Sequence, residues 1–365
     1  MFSDDARQIS ADLAGYLREQ WDDGDVQVDA PRPFGDGHSG FTYLVEITRS
    51  GATFDAVLRL SPPGARIVGP SDIGRQGQIM AALASTDVPV PAVHAYSSQG
   101  VIAGRSFALL EQVVGTGWEQ AIVDSSDAEV ARHALSVLRV MRALPVESTG
   151  LSAEVAFTPN GELARWTALL RRAPDWLAEP ATQLADELSA VAPATGTVGL
   201  VHGDFHFGNL LFADGAVVAV LDWEIAALSD PLFDLGGLVV TVLRRRYPDD
   251  PNSTGVLDVE PRELVREWGA SEDEANWYIA AACLKYAAIF GYNLSLHRSG
   301  KRPDPVYEDL LATMRGLIND GRDILTTGLP DLLSESWPLD VDRAASCRPS
   351  EQPCARSAVA RPGTD

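Results

Sequence analysis

The spacing of apolar residues divides the chain into a first part rich in strands and a second part rich in helices. From about residue 4 to residue 21, apolar side chains recur every three or four positions, as along one face of an amphipathic helix. Residues 41–47 and 54–60 instead alternate apolar and polar positions, the period of a strand with one buried face. Arg59 falls on the polar face of the second strand, so we expect its side chain to point away from the apolar side of the sheet.

The same first part contains further strands, one helix and a glycine-rich turn. Three more apolar segments are predicted to be strands, at residues 26–34, 88–97 and 106–115. Residues 71–85 are predicted to form a helix, because Ser71 and Asp72 are good N-cap residues. Between the first two strands lies the segment from Gly35 to Gly40, where three glycines among six residues predict a tight and exposed turn.

The second part is predicted to be mostly helical, with one hairpin. Apolar residues recur at helical spacing in 126–144, 275–298 and 306–325. Residues 209–224 are predicted to form a hairpin whose turn is Asp214-Gly215. Towards the end of the chain the periodicity fades and Pro, Ser, Arg and Ala dominate, so residues 340–365 are expected to form a disordered tail.

The length and the charge of the chain indicate how many lobes it has and which kinds of partner it binds. A chain of 365 residues is longer than one compact core usually holds, so two lobes are expected. The 51 acidic residues outnumber the 29 Lys and Arg residues and give a formal net charge of −22. Such a surface repels the phosphates of nucleic acids and of anionic membranes, so neither is expected as a partner. It would attract a cationic substrate, although acidity also serves solubility.

The cysteines and the N-terminus indicate a cytoplasmic protein. The three cysteines, Cys283, Cys347 and Cys354, are odd in number and no pair has metal-ligand spacing, which favours a reducing compartment. The first ten residues show neither a basic start nor an apolar run, so no signal peptide is expected. No stretch approaches the roughly 18 uncharged apolar residues that a membrane-spanning helix needs.

Three side chains suited to phosphate and metal chemistry are brought together by the predicted elements. A buried strand leads into the loop that carries Asp204, and Asn209 follows five residues later. The predicted hairpin then returns the chain and places Asp222 beside them. Carboxylate and amide oxygens are hard ligands, which suit Mg²⁺ rather than zinc. Two nearby carboxylates also repel each other unless a cation lies between them.

These groups match the requirements of phosphoryl transfer from a nucleotide. One carboxylate accepts the proton of the acceptor hydroxyl, while a second carboxylate and an amide hold metal ions on the phosphates. The turn at residues 35–40 would supply backbone N–H groups to the phosphates, with Gly37, His38 and Ser39 as expected nucleotide contacts. Turn chemistry alone explains His38 and Ser39 almost as well. Arg59, on the neighbouring strand, is placed to reach the phosphates.

The motifs of this chain resemble those of a known family. The C-terminal motifs are similar to those of the aminoglycoside phosphotransferase/choline kinase family, within the protein-kinase-like fold, through HGDFHFGN, LDWE and DPLFDLGGL. The N-terminal motifs resemble the branch related to the kinase-like domain of some acyl-CoA dehydrogenases, through FGDGHSGFTYLVEI, VLRLSPPG and VPVPAVHAY. Together the matches cover roughly residues 30–325.

The resemblance implies a bilobal, protein-kinase-like fold of the α+β class. The small N-terminal lobe, residues 1–112, would hold an antiparallel sheet and a helix and would bind the nucleotide. The larger and mostly helical C-terminal lobe, residues 113–338, would carry the catalytic groups and the acceptor site. Residues 339–365 would be the disordered tail.

The resemblance also implies a role for each matching residue. The implied roles are catalysis for Asp204, Mg²⁺ binding for Asn209 and Asp222, phosphate binding for Arg59, adenine binding by the backbone around Glu111 and Val113, and loop bracing for Asp234. His202 is expected to anchor the backbone of the catalytic loop through a hydrogen bond. In this fold the C-terminal helices wall the acceptor pocket, which makes acceptor candidates of Glu224, Tyr286, Tyr292, Asn293 and His297.

Two positions depart from the pattern of the family. Gln76 stands where members often have a Glu that pairs with the phosphate-binding cation, and Gly40 stands where an Asn is frequent. A contact between Arg59 and the neutral Gln76 is expected to be weaker than an ion pair.

The expected reaction is direct transfer of the γ-phosphate of Mg-ATP, or of another nucleoside triphosphate such as GTP, to a hydroxyl of a small metabolite or antibiotic. A resistance kinase for aminoglycosides or macrolides is an alternative acceptor class, and a non-catalytic pseudokinase that binds nucleotide is an alternative of another kind. A zinc hydrolase with His202 and His206 as ligands would leave Asn209 and Asp222 without roles. The acceptor and the oligomeric state stay open.

Overall fold

The N-terminal part of the chain forms one antiparallel sheet with a helix on each face. The structure is a computed structural model and describes residues 2–34, 41–194, 196–247 and 257–332. The helices are α1 (Phe2–Trp21) and α2 (Ile73–Leu83). The strands are β1 (Gln27–Val28), β2 (Arg32–Pro33), β3 (Phe41–Arg49), β4 (Ala52–Leu60), β5 (Val93–Ile102) and β6 (Arg105–Glu111). Their order across the sheet is β1, β3, β4, β6, β5, and β2 also pairs with β3.

The predicted alternation of the central strands is confirmed. Leu58 and Leu60 of β4 are fully buried against Ile9 and Leu13 of α1, on the outer face of the sheet. Arg59 points to the opposite face, towards α2. The period of two along the strand therefore separates the apolar packing face from the face that carries the cation.

Helix α2 packs closely on the inner face of the sheet. Asp72 caps it, as expected, because its Oδ1 accepts a hydrogen bond of 3.1 Å from the backbone N–H of Arg75. Gly74 and Gly77 face β5, and a Cβ at Gly74 would lie 2.3 Å from the backbone of Ser97. The absence of side chains at these positions lets the helix approach the strand, which brings the next residues of α2 close to Arg59.

Two predicted strands differ from the structure where prolines lie. The segment 26–34 was predicted as one strand, but it forms the two short strands β1 and β2 on the edge of the sheet. The strand predicted at 88–97 begins only at Val93. Proline has no backbone N–H to donate, so Pro31 and the pair Pro89 and Pro91 interrupt or delay the pairing of these segments.

The C-terminal part is mostly helical, which confirms the expected α+β class. Its helices are α3 (Trp118–Asp124), α4 (Asp127–Ala143), α5 (Pro159–Leu170), α6 (Asp175–Ala190), α7 (Leu232–Leu243), α8 (Pro261–Trp268), α9 (Glu272–Arg298), α10 (Val306–Asp309) and α11 (Leu311–Thr327). The helix predicted at 306–325 is divided at Leu310 into α10 and α11. Helices α5 and α6 lie in a stretch for which the sequence pattern gave no prediction.

Helix α9 is the central helix of this part. Its length and composition would suffice to cross a membrane, contrary to the expectation that no stretch comes near that limit. However, 67% of its most apolar window is buried inside the protein, where it packs against α5, α6, α7 and α11. Its apolar character therefore serves the core, and its middle reaches the site described below.

Two small sheets carry the motifs of the C-terminal part. Strand β7 (Gly199–Val201) pairs with β10 (Ala227–Ser229), and β8 (Leu210–Ala213) pairs with β9 (Ala216–Val220). The turn of the second pair is Asp214-Gly215, as predicted, with φ of 50° and 77° at the two residues. Both sheets lie in one large apolar core that continues to the inner face of the N-terminal sheet.

Several expectations concern residues outside the described ranges. They are the glycine-rich turn with Gly37, His38, Ser39 and Gly40, the tail at 339–365, and the cysteines Cys347 and Cys354. Cys283 lies in α9 and is buried with a free thiol. The domain boundaries remain predictions.

Candidate active site

The buried strand β7 delivers the chain into a tight loop at Gly203. The φ of Gly203 is +84°, a conformation that costs energy for any residue with a side chain. A Cβ at this position would also lie only 2.7 Å from the carbonyl oxygen of Ile225. The glycine of the HGD motif is therefore required both by backbone conformation and by the close approach of the segment that follows Asp222.

Asp234 braces this loop from helix α7. Its Oδ2 accepts a hydrogen bond of 2.7 Å from the backbone N–H of His202, and its Oδ1 accepts one of 2.9 Å from the N–H of Gly203. Burial raises the pKa of Asp234 to about 7, although the two N–H donors act in the opposite direction. Asp234 thus holds two backbone N–H groups of the loop, and its bracing role stays a prediction.

His202 is fully buried and uses both ring nitrogens inside the loop. The backbone N–H of Asp204 donates to its Nδ1 at 3.2 Å, so the ring proton lies on Nε2, which donates to the carbonyl oxygen of Leu221 at 2.8 Å. Burial lowers the pKa of His202 to about 4, so the ring is neutral at pH 7. Neither nitrogen has a lone pair available to a metal, which argues against the zinc hydrolase.

Asp204 presents its carboxylate to the cleft between two side-chain partners. The hydroxyl of Tyr286 donates to Oδ1 at 3.1 Å, and Nε2 of His206 lies 3.5 Å from Oδ2. Burial opposes ionisation of Asp204, but the nearby His206, Lys285 and His202 outweigh it and hold the pKa of this carboxyl below its usual range. The side chain is 28% exposed, so a substrate hydroxyl can reach it.

Lys285 is a part of the site that the sequence reading missed. Its Nζ donates to the carbonyl oxygen of Gly203, one residue before Asp204. The ammonium lies 4.7 Å from the ring centroid of Tyr286 and 5.3 Å from that of Trp166, within the range of cation–π attraction. Burial lowers the pKa of Lys285, while the carboxylates of Asp204 and Asp234 act in the opposite direction.

A signal for Lys285 was present in the sequence. The chain has only two lysines, and Lys285 lies in the middle of its most apolar helix. A charged residue at such a position is rarely buried without partners. Neither its partners nor its distance from Asp204 could be read from the helical pattern.

Asn209 and Asp222 meet at the open end of the β8–β9 hairpin. The backbone N–H of Leu221 donates to the carbonyl oxygen of Asn209 at 2.8 Å, which puts Asp222 directly beside Asn209. The side-chain Nδ2 of Asn209 donates to the carbonyl oxygen of Asp204 at 2.9 Å. Its amide oxygen Oδ1 takes no part in that bond and has the chemistry of a metal ligand.

The donor set at this point fits Mg²⁺. It consists of one amide oxygen and one carboxylate, both hard oxygen ligands, and Mg²⁺ commonly takes one or two protein ligands together with waters and substrate phosphates. Within the described residues, no group of three or more His, Cys, Asp or Glu side chains converges as a complete protein cage for a metal. The residues thus suit a metal ion that is shared with a nucleotide.

Arg59 bridges the two parts of the molecule at this site. Its Nη2 lies 3.1 Å from Oδ1 of Asp222, and its Nη1 donates to Oε1 of Gln76 at 3.1 Å. Gln76 is buried on α2, and its Nε2 has no hydrogen-bond partner within the described ranges. The cation predicted to reach the phosphates therefore lies beside a predicted metal ligand, and its partner on α2 is the neutral amide that the sequence indicated.

The segment after β6 connects the sheet to the helical part. The backbone N–H of Glu111 donates to the carbonyl oxygen of Ala92 at 2.8 Å, and its carboxylate accepts from the N–H of Ala92 at 3.2 Å. Among the described residues, the backbone groups of Val113 and Val114 form no hydrogen bond. The backbone beyond Glu111 thus has groups to offer a ligand, whereas the Glu111 side chain is used locally.

Among the residues predicted to contact the acceptor, Tyr286 is the one for which the structure shows a contact with Asp204. Tyr286 contacts Asp204 directly. Farther along α9, Tyr292 accepts a hydrogen bond from Arg172, Asn293 accepts one from Arg302, and Nδ1 of His297 accepts one from the N–H of Asp304. The helical rise puts these three residues about 9–16 Å along the axis from Tyr286. Glu224 lies half-buried in the segment after Asp222.

Comparison with protein families finds a match over most of the described chain. A family model described as the phosphotransferase enzyme family matches residues 31–269. Among curated proteins, the chain is 29% identical to acyl-CoA dehydrogenase family member 10 of Mus musculus over 278 residues, which are 70% of this chain and 25% of that protein. It is 31% identical to acyl-CoA dehydrogenase family member 11 of Rattus norvegicus over 256 residues, 64% of this chain and 32% of that protein. The chain thus spans a quarter to a third of these relatives.

Several solved structures of the same fold are phosphotransferases. A putative aminoglycoside phosphotransferase from Ralstonia eutropha has a TM-score of 0.67 at 23% identity and covers 86% of this chain and 97% of its own. A ternary complex of the phosphotransferase APH(4)-Ia with AMP-PNP and hygromycin B has a TM-score of 0.55 at 14% identity, covering 84% and 97%. The GDP and kanamycin complex of APH(2")-IIIa has a TM-score of 0.53 at 16% identity, covering 85% and 98%. These likenesses confirm the expected kinase-like fold.

Proposed function

The chain belongs to the phosphotransferase enzyme family, and from this premise we propose that it is a small-molecule kinase. It would transfer the γ-phosphoryl group of Mg-ATP, or of another nucleoside triphosphate, to a hydroxyl group of a small substrate. The observation that carries the proposal is the convergence of the Asp204 carboxylate with Asn209, Asp222 and Arg59, from both sides of one cleft.

Each of these groups has a task in the proposed reaction. The acceptor oxygen attacks the γ-phosphorus, the bond from that phosphorus to the bridging oxygen breaks, and the nucleoside diphosphate leaves. The Asp204 carboxylate orients the hydroxyl and accepts its proton, for which its lowered pKa keeps it ionised. Arg59 stabilises negative charge on the phosphates. Mg²⁺ would supply further charge neutralisation when bound, with Asn209 and Asp222 as its protein ligands.

The nucleotide would lie between the sheet and the hairpin. The backbone of Val113 would contact the base, which is supported by its lack of hydrogen bonds among the described residues. Complexes with AMP-PNP and with GDP occur among the structures of similar fold, so adenine and guanine nucleotides are both proposed as donors to be tested. Backbone recognition does not by itself distinguish the two bases.

For the acceptor, the relatives by sequence and by structure favour different classes. The curated relatives are named as acyl-CoA dehydrogenases, which supports a hydroxyl on an acyl or other metabolic substrate. The structural neighbours include complexes with hygromycin B, kanamycin and gentamicin, and the net charge of −22 would attract such cationic antibiotics. The higher sequence identity of the first group makes a metabolic alcohol the first choice, and an aminoglycoside the second.

The test is acceptor-dependent release of nucleoside diphosphate from Mg-ATP and Mg-GTP. The acceptor panel would contain hydroxyacyl thioesters, sugars, choline, aminoglycosides and macrolides, and the variant Asp204→Asn would be run beside the wild type. We expect release with at least one acceptor and a loss of about 10²–10⁴-fold in the variant, the range that a positioned general base contributes. Undiminished turnover in the variant would sink the assignment.

A pseudokinase is the competing function of another class. The neutral Gln76 beside Arg59 is the observation that favours it. It predicts Mg-nucleotide binding without release of diphosphate for every acceptor. A failure to bind any nucleotide would contradict both functions.

A further inference from the structure

Arg75, one residue before Gln76 on α2, reaches from the N-terminal part of the molecule into the C-terminal part. Its Nε lies 2.7 Å from Oε1 of Glu154, and its Nη2 lies 2.8 Å from Oε2 of the same carboxylate. The same Nη2 also donates to the carbonyl oxygen of Ala226 at 2.8 Å. One guanidinium therefore joins α2 to two separate segments of the helical part, in the bidentate geometry that makes arginine pairs directional.

The carbonyl that Arg75 holds belongs to the segment that follows Asp222. The preceding carbonyl, that of Ile225, accepts a hydrogen bond of 3.1 Å from Nη2 of Arg165 on α5. Two arginines, one from α2 and one from α5, thus hold consecutive carbonyls of this segment. Asp222 itself has φ of +63°, a strained value for a residue with a side chain, and such a conformation persists only when the surrounding structure holds it.

Arg75 and Gln76 lie on different faces of α2 and make different contacts. Residues three apart share a helix face, and Gln78 on the face of Arg75 donates to the carbonyl oxygen of Gly150 at 2.7 Å. Gln76 instead points towards Arg59. A neutral amide makes a weaker contact than a carboxylate would, so the charged link between α2 and the helical part lies at Arg75.

We propose that Arg75 is a positioning residue that fixes α2 and the segment 222–226 relative to each other, so that Arg59 and Asp222 face each other across the cleft. Arg75 does not touch the nucleotide in this assignment; it acts through Asp222 and Arg59. The consequence for nucleotide binding rests on the proposed function, whereas the consequence for the order of segment 222–226 does not.

The first arm of the test is hydrogen–deuterium exchange of the nucleotide-free protein. The variants are Arg75→Ala, Arg75→Lys and Glu154→Gln. The matched control is Arg298→Ala, because Arg298 forms a similar bidentate pair with Glu308, both bonds at 2.7 Å, far from α2. We expect faster exchange in 222–226 and in α2 for Arg75→Ala, and an intermediate rate in these two regions for Arg75→Lys. The control Arg298→Ala should leave the exchange rates of both regions unchanged.

The second arm is the dissociation constant of a fluorescent Mg-nucleotide. Loss of the charged hydrogen bonds of Arg75 is expected to weaken binding about tenfold, the equivalent of one such bond. Lysine keeps the charge but cannot form the bidentate pair with Glu154, so Arg75→Lys should weaken binding less than Arg75→Ala. Glu154→Gln, which keeps the bond to Ala226, should have the smallest effect.

Two results would overturn the proposal. The first is an unchanged, wild-type exchange rate of residues 222–226 in Arg75→Ala. If the alanine variant does not fold, the same result in Arg75→Lys decides. The other is exchange that rises uniformly over the chain, which would make Arg75 a general contributor to stability. If no variant and no wild-type protein binds Mg-nucleotide, the proposed function fails, and the exchange arm still decides the role of Arg75.

Discussion

On the C-terminal side of the cleft, the loop of Asp204 is held by three side chains from helices α7 and α9. On the N-terminal side, Arg59 lies between a neutral amide and a carboxylate of the opposite part. Asp234 and Lys285 bind the backbone of the loop, and Tyr286 binds the Asp204 carboxylate. Arg59 contacts Gln76 and reaches across to Asp222. The side proposed to accept the proton is thus braced within the C-terminal part, while the side proposed to bind phosphate depends on the relative position of the two parts.

Under the proposed function, this difference would let one site serve both chemistry and nucleotide exchange. Preorganised groups cost little reorganisation at the moment of reaction, which favours a rigid environment for Asp204. A nucleotide has to enter and leave, which favours a side whose contacts are few and cross the cleft. The arrangement predicts that variants in the loop support lose stability or turnover, and that variants beside Arg59 alter nucleotide affinity.

The largest effect should come from Lys285→Met, which would leave the Gly203 carbonyl and two nearby carboxylates without their buried cation. Breaking a buried charge arrangement by removing one member costs about 3 kcal/mol or more, so the free energy of unfolding should fall by that amount. Denaturant unfolding would measure it. Lys301→Met, at the other and exposed lysine, is the control and should change little; equal losses in both would contradict the role of Lys285.

Acid should weaken the loop through His202. Its pKa is lowered to about 4 in the folded protein against an ordinary value of 6.5, so the unfolded chain binds more protons between these two values. The contribution of neutral His202 is therefore present above pH 6.5 and is lost as the pH falls towards 4, by about 3 kcal/mol. The raised pKa of Asp234 acts in the opposite direction over the same range, so the test compares the wild type with His202→Asn from pH 7 to pH 4. The free energy of unfolding of the wild type, minus that of the variant, should fall by about 3 kcal/mol as the pH falls. A difference that does not depend on pH would show that His202 does not titrate as described.

Tyr286→Phe should lower turnover with less effect on the nucleotide side. The change removes the hydroxyl that orients the Asp204 carboxylate, and loss of one such hydrogen bond should reduce kcat about tenfold. Steady-state kinetics with the best acceptor would measure kcat, and nucleotide titration would show an unchanged Kd. Tyr292→Phe is the matched control, since its hydroxyl contacts Arg172 and not Asp204. A similar loss in both variants would place the acceptor farther along α9 than the structure indicates.

The smallest effect should come from Gln76→Glu on the other side of the cleft. A carboxylate opposite Arg59 would turn a neutral hydrogen bond into a charge-assisted one, and would free Asp222 from part of its contact with Arg59. Mg-nucleotide affinity should rise about threefold, which nucleotide titration would detect. Gln120→Glu, an exposed position, should leave the affinity unchanged. A weaker affinity in Gln76→Glu would mean that the uncharged amide is the better partner for Arg59 in this protein.

Local patterns predicted much of the fold and the centre of the site. The alternation in 54–60 separated Arg59 from the apolar face, and the turn residues Asp214-Gly215 marked the hairpin correctly. Asp204, Asn209 and Asp222 could be grouped because a strand, a loop and a hairpin connect them within 19 residues. The prolines near β1 and β5 mark the places where the observed strands are shorter than the predicted ones, because proline cannot donate a backbone hydrogen bond.

The sequence by itself therefore determined most of the elements, the family and the three chemical groups that lie close along the chain. Short-range spacing decides which face or turn each of these residues occupies. Only the tertiary structure decided that Lys285 and Tyr286 support the Asp204 loop from α9, and that Arg75 reaches the segment after Asp222. These contacts join residues about 80 to 150 positions apart. The packing of α9 and α2 creates them, and a helical period gives the face of a residue but not its partner across the core.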